Sequence, residues 1–238
     1  MKRILLIISE ESYFMSHRLN LASEALEKGY KVGLLCNRGK NTNLIKKKGV
    51  EVFNFSLSRT SLNPLNHIKT IIQISRVLKL FKPHLIHAVA IKPLIFSSLA
   101  TKFQGLESRV FALGGLGFIF SSEKNLARLL RPFVVLLLKY CLSGCKTRLI
   151  LQNKDDCKKA WDLKLIKKDK TRLVEGAGVD TELFTPEEDN FNEIPTVILP
   201  ARLLWDKGIG EFVEAAEIIK SKFITARFIL VGSQDLHN

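Results

Sequence analysis

Runs of β-forming apolar residues alternate with segments of helical period along the whole of this 238-residue chain, and that pattern restricts its folding more than any motif does. Arg3–Ser9 reads as a strand. Leu19, Ala22 and Leu26 then fall on one face of a helix that Ser16 would cap and Gly29 would stop. Strands follow at Tyr30–Cys36 and Val50–Leu57, with a basic loop and short helix over Lys40–Lys48 between them. A long helical pattern covers Leu62–Phe81, ended by Pro83, and Leu85–Ala90 reads as a buried strand. Beyond it come a helix near Lys92–Phe103, a strand Ser108–Leu113, a long apolar helix Asn125–Leu142 and a strand Thr147–Gln152. A short basic helix and a strand Arg172–Glu175 complete the series.

Strands that are apolar at nearly every position need cover on both faces, which a parallel sheet gains from its crossover helices. The expectation is an α/β, Rossmann-like parallel-sheet domain over residues 1–185. Residues 186–195 interrupt the pattern with acids and two prolines and read as a linker. The alternation restarts at 196–238 as a strand Thr196–Ala201, a helix Gly210–Lys222 and a strand Ala226–Val231. This is one βαβ unit, which predicts a truncated second Rossmann-like domain with exposed strand edges and a tendency to aggregate.

Composition narrows the function classes. No apolar run approaches the roughly 20 residues a membrane-spanning helix needs, since Pro132–Leu138 is closed by Lys139. The basic, apolar start Met1–Ser9 reaches Glu10 and Glu11 too early for a signal peptide and lacks a small-residue cleavage site, so a cytoplasmic protein is expected. Cys36, Cys141, Cys145 and Cys157 show no disulfide framework or metal-ligand spacing and read as reduced thiols. The unusual bulk property is a net charge of +14. Residues 124–172 alone hold 14 Lys/Arg against 4 Asp/Glu, which predicts an anionic partner.

The clearest candidate for anion chemistry is Pro200–Gly208, where Arg202, Lys207 and Gly208 lie between a strand-like run and a helix-like run. A helix start offers unpaired N–H groups and the positive end of its dipole. Arg202 can fork two phosphate oxygens, Lys207 can add a point charge, and Gly208 lets a ligand approach the backbone. The same residues also read as a solvated strand end with ordinary surface cations.

Taken in order, several segments resemble the family-four retaining glycosyltransferases of GT-B architecture. They are Phe14–Leu19, His84–Ala88 with Lys92-Pro93, Gly114–Gly117, Gly176–Asp180 with Phe184–Pro186, the Arg202…Lys207-Gly208 turn, and Phe228–Gly232. The combination of Ser16-His17-Arg18 with Leu203–Gly208 looks most like the branch that builds bacterial surface polysaccharides, lipopolysaccharide or glycans on a lipid carrier. The resemblance implies two Rossmann-like domains and transfer of a hexosyl-type sugar from a nucleotide-sugar donor, UDP-linked, to a glycan or lipid-linked acceptor.

It also implies roles. Arg202, Lys207 and Gly208 would bind the donor diphosphate and stabilise the charge that grows as the glycosidic bond breaks. No metal or other cofactor is expected, and no protein nucleophile is needed for front-face attack. His17, Arg18, His87 and Gly115 would sit on strand-end loops facing the acceptor or the transferring sugar, with Asp180 beside them. Each histidine also reads as a satisfied strand-end or helix-cap side chain, and Gly114 and Gly117 as turn formers.

The chain departs from the family in three places. Its first loop, Glu10–Phe14, has two acids and no glycine, Val89 stands where a second histidine is common, and the glycine turn lacks a preceding histidine. The resemblance further implies a longer second domain with paired glutamates for the donor's ribose and sugar. On that ground this chain alone is expected to have little transferase activity, or to need a partner chain that completes the domain.

Two non-catalytic readings stand beside the enzyme. Nucleic-acid binding is disfavoured because the basic segment lacks interleaved aromatics and any recognised motif. A module apposed to an anionic membrane surface accounts better for the charge: Asn125–Leu142 joins Arg128, Arg131 and Lys139 to a broad apolar face. The alternative is that the apolar face is core and the lysines a solvated rim.

Overall fold

The computed structural model describes residues 1–58, 61, 63–102, 104–116, 120, 125–182, 184–186, 194–222 and 224–232. The chain divides into two compact units, Met1–Val179 and Asp180–Asn238. Most of the 186–195 segment read as a linker, and Gly117, lie outside the described residues.

The first unit is a seven-stranded sheet in the order β3-β2-β1-β4-β5-β6-β7, parallel throughout. Its strands are β1 (Arg3–Glu10), β2 (Lys31–Asn37), β3 (Glu51–Asn54), β4 (Leu85–Val89), β5 (Arg109–Leu113), β6 (Thr147–Leu151) and β7 (Thr171–Leu173). The apolar runs make this possible because the residues alternate between two cores. Leu5, Ile7, Leu35, Ile86, Ala88 and Phe111 pack on one side, and Leu6, Ile8, Leu34, Val89 and Ala112 on the other.

The first core is roofed by α4 (Pro64–Phe81), α5 (Ile91–Lys102), α6 (Asn125–Leu142) and α7 (Lys154–Asp162). The second is roofed by α1 (Glu11–His17), α2 (Leu19–Glu27) and α3 (Thr42–Lys47). The order of connection therefore reverses at the β1–β4 pair, the place where an open parallel sheet leaves a crevice beyond its strand ends.

Three details differ from the sequence pattern. Ser16 caps no helix: α1 begins at Glu11, directly after β1, and the Ser16 hydroxyl donates back to the Ser12 carbonyl at 2.9 Å. The strand expected to reach Leu57 ends at Asn54, because the Asn37 side chain takes over the backbone of Leu57, accepting from its N–H at 2.8 Å and donating to its carbonyl at 2.9 Å. The last strand of the sheet is Thr171–Leu173, not Arg172–Glu175.

The second unit contains β8 (Thr196–Pro200) and β9 (Arg227–Val231), a parallel pair joined through α8 (Ile209–Ser221). Gly232 follows β9 at a close approach, where any side chain would strike the Ala201 carbonyl.

Candidate functional site

In the first unit a pocket of about 240 Å³ opens where β1, β4 and β5 end. Ile8, Ser9 and Glu10 enter from β1, Tyr13 from α1, Val89 and Ala90 from the β4–α5 turn, and Gly114 from the end of β5. Ala90 holds φ +81, a conformation that costs a residue with a Cβ on the order of 1 kcal/mol, and such strain concentrates at functional turns. Its N–H is anchored on the Ala112 carbonyl at 3.0 Å and its carbonyl accepts the Leu94 N–H at 3.0 Å, so the surrounding turn holds it there. Gly114 is small for a reason too: a Cβ there would lie 3.2 Å from the Gln152 side-chain oxygen.

Two of the residues singled out in the sequence gather beside this pocket. The His17 ring stacks on Tyr13 with centroids 4.3 Å apart and planes 5° from parallel, and its Nδ1 lies 2.6 Å from the Ser16 hydroxyl. The Arg18 guanidinium lies 5.9 Å from the centroid of the same Tyr13 ring and donates to the His17 carbonyl at 2.8 Å. Gly115 directly follows pocket-lining Gly114 and is half-buried.

His87 is placed differently from the expectation of a strand-end loop. It is the middle residue of β4, 6% exposed, on the face of the sheet that α1 and α2 cover. Its Nε2 has no hydrogen-bond partner among the described residues. Burial, helped by the positive charge of Arg18, lowers its pKa to about 4, so the ring is neutral at physiological pH.

The acids that set this chain apart from the family do structural work. Glu11 is buried, and its carboxylate accepts the Asn41 N–H at 2.8 Å and the Thr42 hydroxyl, which ties the start of α1 to the start of α3. Glu10 accepts from the Asn37 amide at 3.2 Å. Lys92 opens α5 and donates to the carbonyls of Ser58 at 3.0 Å and Ser61 at 2.7 Å, and partial burial lowers its pKa.

The second unit carries the remaining candidates. Trp205–Lys207 forms a single 3-10 turn, and Gly208, at φ +75, both ends that turn and starts α8. The Arg202 carbonyl accepts the Leu204 N–H at 2.8 Å and the Leu204 carbonyl accepts the Lys207 N–H at 3.0 Å, folding the two cationic residues onto one short loop. Arg202 and Lys207 are both exposed. Gly208 thus serves the backbone directly, since its left-handed conformation is the one a side chain disfavours. Asp180 turns its own loop, with Oδ1 accepting the Glu182 N–H at 3.1 Å.

A larger hollow of about 740 Å³, lined mostly by apolar residues such as Phe212, Ala216, Phe228 and Leu230, lies between α8 and β9. It includes none of the turn residues and brings few polar groups together. Among the described residues no three His, Cys, Asp or Glu side chains converge as metal ligands, and no helix is long and apolar enough to cross a membrane.

Tyr13, Glu10 and Ala90 were not singled out by the sequence pattern. Tyr13 and His17 are one helical turn apart, a signal that appears only once α1 is started at Glu11. Nothing in the sequence marks Ala90, whose conformation is set by its neighbours.

Comparison with known proteins gives the family and the fold. The family described as glycosyl transferase 4-like matches residues 3–154. N,N'-diacetylbacillosaminyl-diphospho-undecaprenol alpha-1,3-N-acetylgalactosaminyltransferase of Campylobacter jejuni is 29% identical over 206 residues, which cover 82% of this chain and 54% of that protein. The chain thus spans about half the length of this curated relative. Among solved structures, a glycosyltransferase from Rickettsia africae superposes with a TM-score of 0.67 at 19% identity, over 99% of this chain and 62% of its own. Anabaena HepE, in complex with UDP and glucose, gives 0.68 at 17% identity over the same shares. At these identities the structural likeness shows the fold.

Proposed function

Because the chain belongs to the glycosyl transferase 4-like family, we propose that it takes part in transferring a sugar, with retention, from a UDP-sugar to a lipid-linked glycan acceptor. The observation that carries the reading is the β8–α8 turn. Arg202 and Lys207 are brought onto one loop at the start of a 13-residue helix whose first residue follows Gly208. Cations and free helix N–H groups in that arrangement suit a diphosphate, and they stabilise it more as it departs, when its charge grows. The relative that acts on a diphospho-undecaprenol substrate, and the HepE complex with UDP, support the choice of acceptor and donor.

In this reading Arg202 forks the phosphate oxygens and Lys207 supplies the second charge. The acceptor side is the pocket of the first unit, where Tyr13, His17 and Arg18 offer an aromatic face, an imidazole and a guanidinium next to Glu10 and Gly114. A stacked aromatic ring with polar groups at its edge suits a sugar, which presents apolar C–H faces and hydroxyl rims. The buried His87 is close enough to Arg18 to feel its charge.

Titration calorimetry with UDP tests the donor half. Arg202→Ala should weaken UDP binding by roughly 10- to 100-fold, the range for one charge-assisted phosphate contact. Equal affinity in wild type and Arg202→Ala would refute the assignment.

A further inference from the structure

We propose that the exposed face of α6 and the lysine-lined groove at its end form a surface that docks on an anionic lipid bilayer. The helix has two apolar faces. Leu138, Cys141 and Leu142 are buried in the first core, with Val134, Val135 and Leu137 packed against it. On the other side Leu129, Phe133, Leu136 and Tyr140 are 68%, 68%, 69% and 53% exposed. Their spacing of four, three and four residues places them within about 60° of arc along roughly 16 Å of helix. A continuous stripe of large apolar side chains turned to water is not what a solvated helix face shows.

The charges beside the stripe are of one sign. Arg128 and Lys139 lie on the same flank, about 90° around the helix from it. The ammonium of Lys102 sits 3.2 Å from the centroid of the Tyr140 ring. At the carboxyl end of α6 an open groove of about 620 Å³ is lined by Lys139, Lys164, Lys167, Lys168 and Lys170, with Trp161 among them. Asp155, Asp156, Asp162 and Asp169 are the acids of residues 139–170, and none of them lines the groove.

This combination fits a bilayer better than a protein partner of like kind. Apolar side chains enter the acyl boundary while lysines reach phosphate headgroups on long stems. A second copy of the chain would bring two strongly cationic surfaces together, since residues 124–172 hold 14 Lys/Arg against 4 Asp/Glu. Since α6 has a core face as well as an exposed one, it would lie in the plane of the membrane surface. The docking surface is independent of the donor turn, so Arg202→Ala should bind vesicles as the wild type does.

The test is co-sedimentation of the whole chain with vesicles of phosphatidylcholine alone or mixed with phosphatidylglycerol, at low and high salt. Binding is expected only with the anionic vesicles, weakened by salt. Phe133→Ser/Leu136→Ser and Lys164→Glu/Lys167→Glu/Lys168→Glu should each lower it by about tenfold or more. Hydrogen exchange on the wild type, which needs no variant to fold, should show vesicle-dependent protection at 128–142. No sedimentation, equal binding to both vesicle types, or protection elsewhere would overturn the proposal. So would self-association that Phe133→Ser abolishes while vesicles are ignored.

Discussion

The carboxylate of Glu11 occupies the space that a side chain on Gly39 would need. Because that carboxylate is held by the Asn41 N–H and the Thr42 hydroxyl, it cannot swing aside. Gly39→Ala should therefore destabilise the protein by about 1–3 kcal/mol through overpacking. Glu11→Ala should cost about 2–3 kcal/mol by stranding both donors. Urea unfolding of each variant measures this, and a Gly39→Ala midpoint equal to wild type would mean the carboxylate relocates freely.

Ala90 gives a change of opposite sign. At φ +81 its Cβ is a burden, so Ala90→Gly should stabilise the first unit by up to about 1 kcal/mol, less the entropy that glycine loses on folding. Thermal unfolding reads the difference, and a lowered midpoint would show that the methyl group's contacts outweigh the strain.

His87 predicts an acid limb to stability. Its pKa is about 4 when folded and near 6.5 when unfolded, so between those values the unfolded chain binds the extra proton. Stability is then full above about pH 6.5 and falls as the pH drops toward 4, by on the order of 3 kcal/mol from this group. His87→Leu, which removes a buried atom without a partner, should flatten that slope while leaving neutral-pH stability within about 1.5 kcal/mol. Denaturant midpoints measured across this pH range give both quantities.

The four cysteines should separate by reactivity. Burial and, secondarily, the neighbouring Glu11 and Glu10 push the Cys36 thiol up to about 12, and burial raises Cys141 and Cys157. Cys145 is exposed. Iodoacetamide at about pH 8 should label Cys145 first and Cys36 last, because the thiolate is the reactive form. Mass spectrometry of timed digests would show the order, and early labelling at Cys36 would contradict its burial.

The sheet was readable because strand residues such as Leu5, Leu6, Ile7 and Ile8 must satisfy cores on both sides, which leaves an unbroken apolar run. The break at Asn54 was not readable, since Phe55 and Leu57 are as apolar as strand residues and are buried as well. Their burial depends on Asn37, twenty residues away, whose side chain replaces the ladder. The role of Glu11 was hidden for a similar reason. Two acids and no glycine in a first loop register only as a departure from the family until Asn41 and Thr42 are known to stand opposite. The strand-to-helix turn at Arg202–Gly208 was legible because all its parts are local, whereas Tyr13, Ala90 and Gly114 meet only through the sheet.

The pocket between the ends of β1 and β4 exists because the chain winds outward in both directions from that pair, sending its loops to opposite sides. Of its walls, Tyr13 and Gly114 belong to connections that the sheet does not need for its own cohesion, whereas Ser9 and Glu10 are the last residues of β1. In the proposed reading, acceptor preference can therefore drift by substitutions at Tyr13 and Gly114 while Leu6, Ile86 and Phe111 stay fixed beneath them. Selection on chemistry and selection on folding fall on different residues of the same strands.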